Sequence, residues 1–582
     1  MLRAKAVGLT FVLLLLISKG YASMILSEEG ISPARSAEYV RTQSRNATTE
    51  SDAVHYNPAG LSFLQNGGIY IIANSVNTFT RKGETIDMWG LQGPSPFNSF
   101  ISPLTSGYQS ATRYLSSVMA AVPTDIAVIF KKDNWAVFAS VSALRGQPGF
   151  VYTRGASFMD RMLVAYNTVL ASYLSRQLAG VYTKSSFKRE EFHLGATVGA
   201  SYGFLDRLAA SLSFRYINVK ANTRIFQLPL AVILNDGSNA NAYQSPTSIN
   251  TDVYGHGSGI IIGIHAQPHE KIHIGMRAEY YPPMILTKRT NRFIANPVLA
   301  QSGKLNLFCD SVIPLVMNDR LNAGGMGNIF NILLMDPKDR KQIGNRLKAT
   351  YPPSLSMGIS FRVHPSLKFD TSIDLTFPRA RDLDGRERNW KTAGYRVGLA
   401  VDWNAATWLA VSAGYSYHDF GLRPDKVTEY DDLLSSHTVG AGASMKPLEF
   451  LTITTSGSYS FFQSAKRRMY DLLYSRLAGQ QFAFVYGWGH KLSRDEWSVS
   501  LGVTFSFYPV TIDRMKKAEE HYWKGMSLYL SDDLDKAIEE FKTARSYNSY
   551  YRDVGKKIRE LKELQELKKK VIQDEKEHKD EM

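Results

Sequence analysis

A chain of 582 residues with the single cysteine Cys309 has no intrachain disulfide framework, and its formal net charge of +15 comes without an arginine-rich block or the aromatic-basic motif of a nucleic-acid reader. Beyond the first 22 residues no apolar run is long enough to cross a bilayer as a helix. The 31 Tyr, 29 Phe and 43 Gly suit instead a large β-protein whose stability comes from its sheet.

Arg3 and Lys5 form a basic start, Ala6 to Ile17 an apolar stretch, and Gly20-Tyr21-Ala22 a small-residue cut, so residues 1–22 read as a secretory signal peptide. The apolar stretch falls short of the ~20 residues a spanning helix needs. Residues 23–66 follow, with Ser51 to Leu61 reading SDAVHYNPAGL. Pro58 fixes its own φ and pushes Asn57 out of the helical region, and Gly60 can take φ > 0 at no steric cost.

From Gly67 to Phe507 the signal is period two. Trp497, Val499, Leu501, Val503, Phe505 and Phe507 alternate with Ser498, Ser500, Gly502, Thr504 and Ser506, and residues 368–377 repeat the pattern. A soluble sandwich also alternates, but these segments are long, with short turns on one side and long loops on the other. That asymmetry is the mark of a transmembrane barrel, whose strands need ~9–11 residues. Short turns are expected at Lys132-Asp133-Asn134, Leu205-Asp206-Arg207, Pro268-His269-Glu270, His364-Pro365-Ser366, Asn404-Ala405-Ala406 and Pro447-Leu448-Glu449. Helical patches are expected in two long loops, at Phe158 to Leu178 and Arg320 to Leu347. Fifteen candidate strands emerge, among them residues 253–266, 271–288, 482–491 and 496–507; even strand numbers single out 482–491 as a loop hairpin above the bilayer, leaving fourteen.

The sequence resembles the FadL-type family of outer-membrane long-chain fatty-acid transporters. The resemblance rests on Asp52, Ala53, Asn57, Pro58, Ala59, Gly60 and Leu61, which match the family's A-x-x-x-N-P-A-G-L stretch and the acidic residue before it. Tyr351-Pro352-Pro353-Ser354-Leu355 agrees more loosely, and Gly502, Phe505 and Phe507 carry the closing signal general to barrels. The resemblance covers roughly residues 30–507 and implies an all-β transmembrane barrel of about 14 antiparallel strands over residues 67–508, with residues 23–66 as a luminal hatch or plug. It implies capture of a long-chain fatty acid or other hydrophobic ligand from outside, transfer to an internal pocket, and a hatch-gated lateral exit, with no enzymatic step. Apolar burial would supply ~0.8 kcal/mol per methylene, with a cation for the carboxylate. Arg215, Arg277, Arg362 and Arg396 fall on expected lumen faces, where arginines also pair with acidic neighbours.

His265, His269 and His273 stand four apart; a turn centred on His269 would make His265 and His273 cross-strand neighbours, a weak metal candidate lacking a third ligand. No nucleophile elbow, H-E-x-x-H or P-loop is present in its required context, and no cofactor is implied.

After Tyr508-Pro509 alternation gives way to a helical pattern over residues 509–582. Gly525, Leu528, Ala537, Phe541 and Ala544 fall where a tetratricopeptide repeat (TPR) places its packing residues, and an apolar stripe from Val554 to Val571 continues on a further helix. By strand parity this TPR-like module belongs in the periplasm, where it could dock a protein partner. Two functions are therefore carried forward: a gated importer of hydrophobic molecules in the bacterial outer membrane, or an anchor presenting surface loops outside and a protein-binding repeat inside.

Overall fold

The computed structural model describes residues 31–32, 34–64, 67–92, 112–120, 123–147, 151–152, 178–182, 185–205, 207–227, 231–234, 239–240, 247–294, 346–381, 387–424, 427, 433–477, 480–507, 512–548 and 551–580. The expected signal peptide and helical loop patches lie outside these residues, apart from Leu178, which opens a short strand, and the last few residues of the second patch.

Alternating sequences become the staves of a closed antiparallel barrel. The fourteen strands are β1 (Gly68–Gln92), β2 (Pro123–Lys132), β3 (Trp135–Gln147), β4 (Ser185–Leu205), β5 (Leu208–Gln227), β6 (Thr247–His269), β7 (Ile272–Tyr280), β8 (Ser354–His364), β9 (Leu367–Thr376), β10 (Gly394–Ala406), β11 (Leu409–Asp419), β12 (Ser436–Leu448), β13 (Leu451–Phe462) and β14 (Gln480–Phe507). Each pairs with its neighbour, and β1 pairs with both β2 (Ile69↔Phe130) and β14 (Ile69↔Phe507), so no edge remains open.

Period two sorts the side chains between lipid and lumen. On β6, Ile260, Ile262 and Ile264 are about half exposed outward while Ile261 and His265 are buried inward; on β14, Trp497, Val499 and Leu501 point out and Ser498 and Ser500 point in. Among the described residues no helix is long and apolar enough to cross a membrane. Residues 482–491 are not a separate stave: they are the upper part of β14, which continues beyond the barrel body and pairs there with Ala465–Leu477.

Two-residue turns close one rim, at Asp133-Asn134, Glu270-Lys271, Pro365-Ser366, Thr407-Trp408 and Glu449-Phe450. The turn after β10 falls three residues later than expected, because alternation runs through Asn404-Ala405-Ala406 and β10 pairs with β11 up to Ala406↔Leu409. The expected strand 271–288 is broken. β7 ends at Tyr280 and a new strand, Met284–Ile294, starts after Pro282 and Pro283, which have no N–H to give to a ladder.

Residues 34–64 pack inside the barrel. Helix α1 (Ala37–Thr42) starts where the Ser36 hydroxyl accepts the Tyr39 N–H at 3.1 Å and stops at Gln43, whose φ is 59°. Helix α2 (Ala53–Tyr56) runs into a 3-10 helix, Pro58–Phe63, whose first turn is capped by the Asn57 side chain accepting from the Ala59 N–H at 3.3 Å. Asn57 is extended, as Pro58 requires. Gly60, however, does not use positive φ; it is glycine because a β-carbon would run into the Thr48 carbonyl and crowd Ala53 and His265.

The barrel makes room for this segment with inward-facing glycines on several strands. A β-carbon at Gly440 would strike the Val40 carbonyl, at Gly414 that of Thr42, at Gly398 that of Gln43, and at Gly275 that of Asn46. The plug backbone therefore lies directly on the wall. Its apolar contact is smaller: Ala53, Val54 and Leu61 pack on Ile72, Ala127, Ile129 and Phe138 of β1 to β3, and burying Leu61 contributes about 1.5–3 kcal/mol.

Beyond β14 come α3 (Ile512–Leu530), α4 (Leu534–Tyr547) and α5 (Val554–Asp580). Asp532, at φ 65°, and Asp533, which caps α4 by accepting the Lys536 N–H, make the first turn. Ala537, Phe541 and Ala544 are fully buried against Tyr522, Tyr551, Val554 and Leu561, and Gly525 lets α3 approach the Phe541 ring.

Candidate functional site

Above the plug, between it and the long-loop rim, lies a cavity of about 240 Å³. Its floor is plug: Arg35, Tyr39, Gln43, Asn46 and Tyr56. Its walls bring together six arginines in all (Arg35, Arg145, Arg277, Arg381, Arg396 and Arg494) against three carboxylates, Glu279, Asp374 and Glu496. Each carboxylate has an arginine: Arg396 Nε donates to Asp374 at 3.0 Å, Arg277 Nε lies 3.3 Å from Glu279, and Arg494 donates to Glu496 at 2.7 Å. On the plug, Arg35 donates to the His55 carbonyl at 2.7 Å, and its pKa falls to about 10 through burial and the neighbouring charges of Arg215 and Arg277.

The upper lip of the cavity is greasy. Trp390, Leu422, Val427, Leu433, Leu434 and Leu492 form a buried cluster joined by Phe420 and Phe462. Where it meets the cavity, the Arg381 guanidinium lies 4.4 Å from the Trp390 ring and Arg494 4.5 Å from Phe462. Apolar and cationic surroundings are thus contiguous.

One side of the cavity is formed by the broken strand. Hydrogen bonding between β6 and its partner stops at Ile260↔Tyr280 and resumes at Tyr254↔Thr287; on the other flank it stops at Glu279↔Ser354 and resumes at Met284↔Ala349. The intervening chain bends inward over Gly255, Gly257 and Gly259, whose β-carbons would meet Leu286, Met284 and Tyr281. Tyr281, fully buried, accepts from Arg215 at 2.6 Å and donates to Glu279 at 2.7 Å, while Tyr351 beside it meets His193.

Below the cavity the charge balance inverts. On the short-turn side of the plug, Arg41, Arg45 and Lys368 face five carboxylates: Glu38, Glu50, Asp52, Asp370 and Asp402. Asp52 holds Arg45 in a two-pronged pair at 2.6 and 2.7 Å, and Lys368 reaches Asp402 at 3.0 Å. Nearer the cavity, where its carbonyl accepts from Arg35 and Arg277, His55 of the plug brings Nε2 to 2.6 Å from Asp125 of β2, which also accepts from Ser142 at 2.7 Å.

Of the lumen arginines read from alternation, Arg277 and Arg396 line the cavity. Arg215 sits behind it, bonded to Thr197, Tyr281 and Glu279. Arg362 is exposed near the short-turn end of β8, because alternation places it on the inner face but only two residues from the end of the strand. Asn57 of the hatch stretch bonds the Ile264 carbonyl at 3.0 Å, Pro58 and Ala59 are buried, and Gly502 faces Ala37 while Phe505 and Phe507 point outward. His265 and His273 meet at 3.2 Å, but the turn is Glu270-Lys271 rather than centred on His269, so His265 stands opposite Gly275 and the contact is diagonal. Among the described residues no group of three or more His, Cys, Asp or Glu could hold a metal. Arg494 was missed although it continues the inward series of Glu496, Ser498 and Ser500; Arg35 and Arg381 lie off the strands, where periodicity is silent.

No protein-family model and no curated protein matches the chain. Among solved structures it is similar to a FadL homologue of Pseudomonas aeruginosa (11% identity, covering 82% of this chain and 100% of that chain, TM-score 0.49). It is also similar to the toluene transporters TodX of P. putida (10% identity, 83% and 99%, TM-score 0.43) and TbuX of Ralstonia pickettii (11% identity, 83% and 99%, TM-score 0.43). At this distance the likeness is one of fold, and what this chain does is argued from its own cavity.

Proposed function

We propose that this protein is an outer-membrane channel for the uptake of hydrophobic molecules, with long-chain fatty acids the expected cargo. The observation that carries the reading is the contiguity of the apolar cluster around Trp390 with the arginine cavity around Arg277 and Arg396, a head-and-tail seat facing the long-loop side. The plug fills the straight path, and the ion-pair cluster of Arg41, Arg45 and Lys368 with five carboxylates on its lower side holds an excess of negative charge, which disfavours passage of an anionic head. Cargo then leaves through the wall, and the double interruption of hydrogen bonding at Tyr281-Pro282-Pro283 supports an exit there, with movement of the plug around Asp52 and Asn57 to Gly60 as the gate. The names of the FadL homologue and the toluene transporters fit the same class of cargo. We take α3 to α5 as a periplasmic TPR-like module that docks a protein partner.

The test is binding of a fluorescent long-chain fatty acid to purified protein in detergent, with folding checked by heat-modifiable gel mobility. Micromolar or tighter binding supports the channel; absence of binding by folded protein favours the anchor.

A further inference from the structure

Two guanidiniums hold the His55 carbonyl of the plug. Helix α2 is only four residues long, and the Ala59 N–H that would continue it bonds the Asn57 side chain, so the His55 carbonyl finds its donors outside the helix. Arg35 Nη2 donates to it at 2.7 Å, and Arg277 Nη1 donates to it from β7. Arg35 is itself part of the plug, so the bond from Arg277 is the one that ties this carbonyl to the wall. The His55 side chain makes a second tie, to Asp125 of β2.

The wall arginines of the cavity are engaged in different ways. Arg396 grips Asp374 through Nε and Nη2 and gives Nη1 to the Tyr39 hydroxyl, and Arg494 donates to Glu496 at 2.7 Å beside the Phe462 ring. Arg277 gives Nη1 to a neutral carbonyl, reaches the Ser356 hydroxyl with Nη2 at 3.4 Å, and has Nε 3.3 Å from Glu279. An anionic head entering the cavity must exchange with an acceptor already in place. A guanidinium bonds an ionised oxygen roughly twice as strongly as a neutral one, so the His55 carbonyl is the acceptor that such a head displaces. Glu279 keeps Tyr281 at 2.7 Å and Arg215 at 3.4 Å when Arg277 turns to a ligand. A hydroxyl or an unsubstituted ring brings no charge and has no such advantage over the carbonyl. Resting on the uptake reading above, we propose that Arg277 makes release of the plug conditional on an anionic head: acids and neutral molecules of one chain length both seat in the cavity, and only the acids free the His55 carbonyl from the wall.

The test uses the full-length protein in non-ionic detergent at pH 8 with oleic acid and oleyl alcohol. Competition against one fluorescent lipid probe measures binding, and limited trypsin digestion after Arg41 and Arg45 measures release of the plug. Both ligands should compete; oleic acid should speed cleavage severalfold, and oleyl alcohol should leave it within about twofold of the unliganded rate. Arg277→Gln, with folding confirmed by gel mobility, should bind both ligands and lose the response to oleic acid, and Arg277→Lys should restore it. A merely structural role would raise the unliganded cleavage rate of Arg277→Gln and leave its response to oleic acid intact. Equal acceleration by acid and alcohol, competition by oleic acid alone, binding of oleic acid without acceleration, or a full response in Arg277→Gln overturns the proposal and leaves the uptake reading standing. If Arg277→Gln does not fold, the comparison of acid with alcohol on the parent protein decides. If neither ligand competes, both fall.

Discussion

His55 Nε2 of the plug lies 2.6 Å from a carboxylate oxygen of Asp125 on β2, and both side chains are almost wholly buried. A buried polar group left without its partner costs about 1–3 kcal/mol. Asp125→Ala is therefore expected to loosen the plug by that order while leaving the barrel closed. Limited proteolysis checks it: cleavage within residues 34–64 should accelerate, with heat-modifiable mobility unchanged.

Thr42 and Gln43 press their carbonyls against Gly414 and Gly398. Gly414→Val and Gly398→Val place a branched side chain where plug backbone lies, and the strands can accept it more easily than the plug can. The expected outcome is a displaced plug, read as a rise in single-channel ion conductance in planar bilayers. Conductance equal to the parent protein would mean that the wall, not the plug, gave way.

Replacing Pro282-Pro283 by Val-Thr restores two backbone donors to the interrupted seam. If cargo leaves there, uptake of a radiolabelled fatty acid by whole cells should fall severalfold while binding to purified protein stays within about twofold. Unchanged uptake would move the exit elsewhere.

Glu50 is held well below the ordinary carboxylate range: its enclosure within the barrel, with half of the side chain still open to the lumen, works against its charge, but Arg45, Lys368 and Arg41 outweigh that effect. A carboxylate depressed in this way adds stability that is complete above about pH 4.5 and is lost as the pH falls further. Because the side chain is half exposed, salt screens the contribution. Plug proteolysis should be constant from pH 8 to 5 and rise towards pH 3, and Glu50→Gln should show a smaller pH dependence.

Gly525 stands where a β-carbon would come within 3.2 Å of the Phe541 ring. Gly525→Val overpacks the contact between α3 and α4 and should cost about 1–3 kcal/mol. Proteolysis of residues 512–580 should speed up while fatty-acid binding is unaffected, which separates the helices from the barrel.

Where alternation rules, the fold was legible. Trp497 to Phe507 and residues 368–376 lie as their period demanded, and the barrel has the expected fourteen staves. Pro282 and Pro283 stand inside the expected strand 271–288 and mark where it breaks, because neither has an N–H for the ladder. The site was half legible. Arg277 and Arg396 sit on strands whose parity points them inward, whereas Arg381 and Arg35 are placed by loop and plug conformation that no period encodes. Gly60 shows a different limit: its role depends on Thr48 and His265, and contacts of that kind become visible only when the chain is folded.

The glycine-lined bed of the plug also dictates an order of events. Val40, Thr42, Gln43 and Asn46 rest on β12, β11, β10 and β7, all made long after them during synthesis, and Ala37 rests on β14, the last of all. The segment made early thus finds its resting place only when the late strands stand side by side. Sealing of β1 to β14 must then enclose a stopper already threaded through the ring, and a stopper deleted in one chain could not be restored by adding it as a free peptide to the finished cylinder.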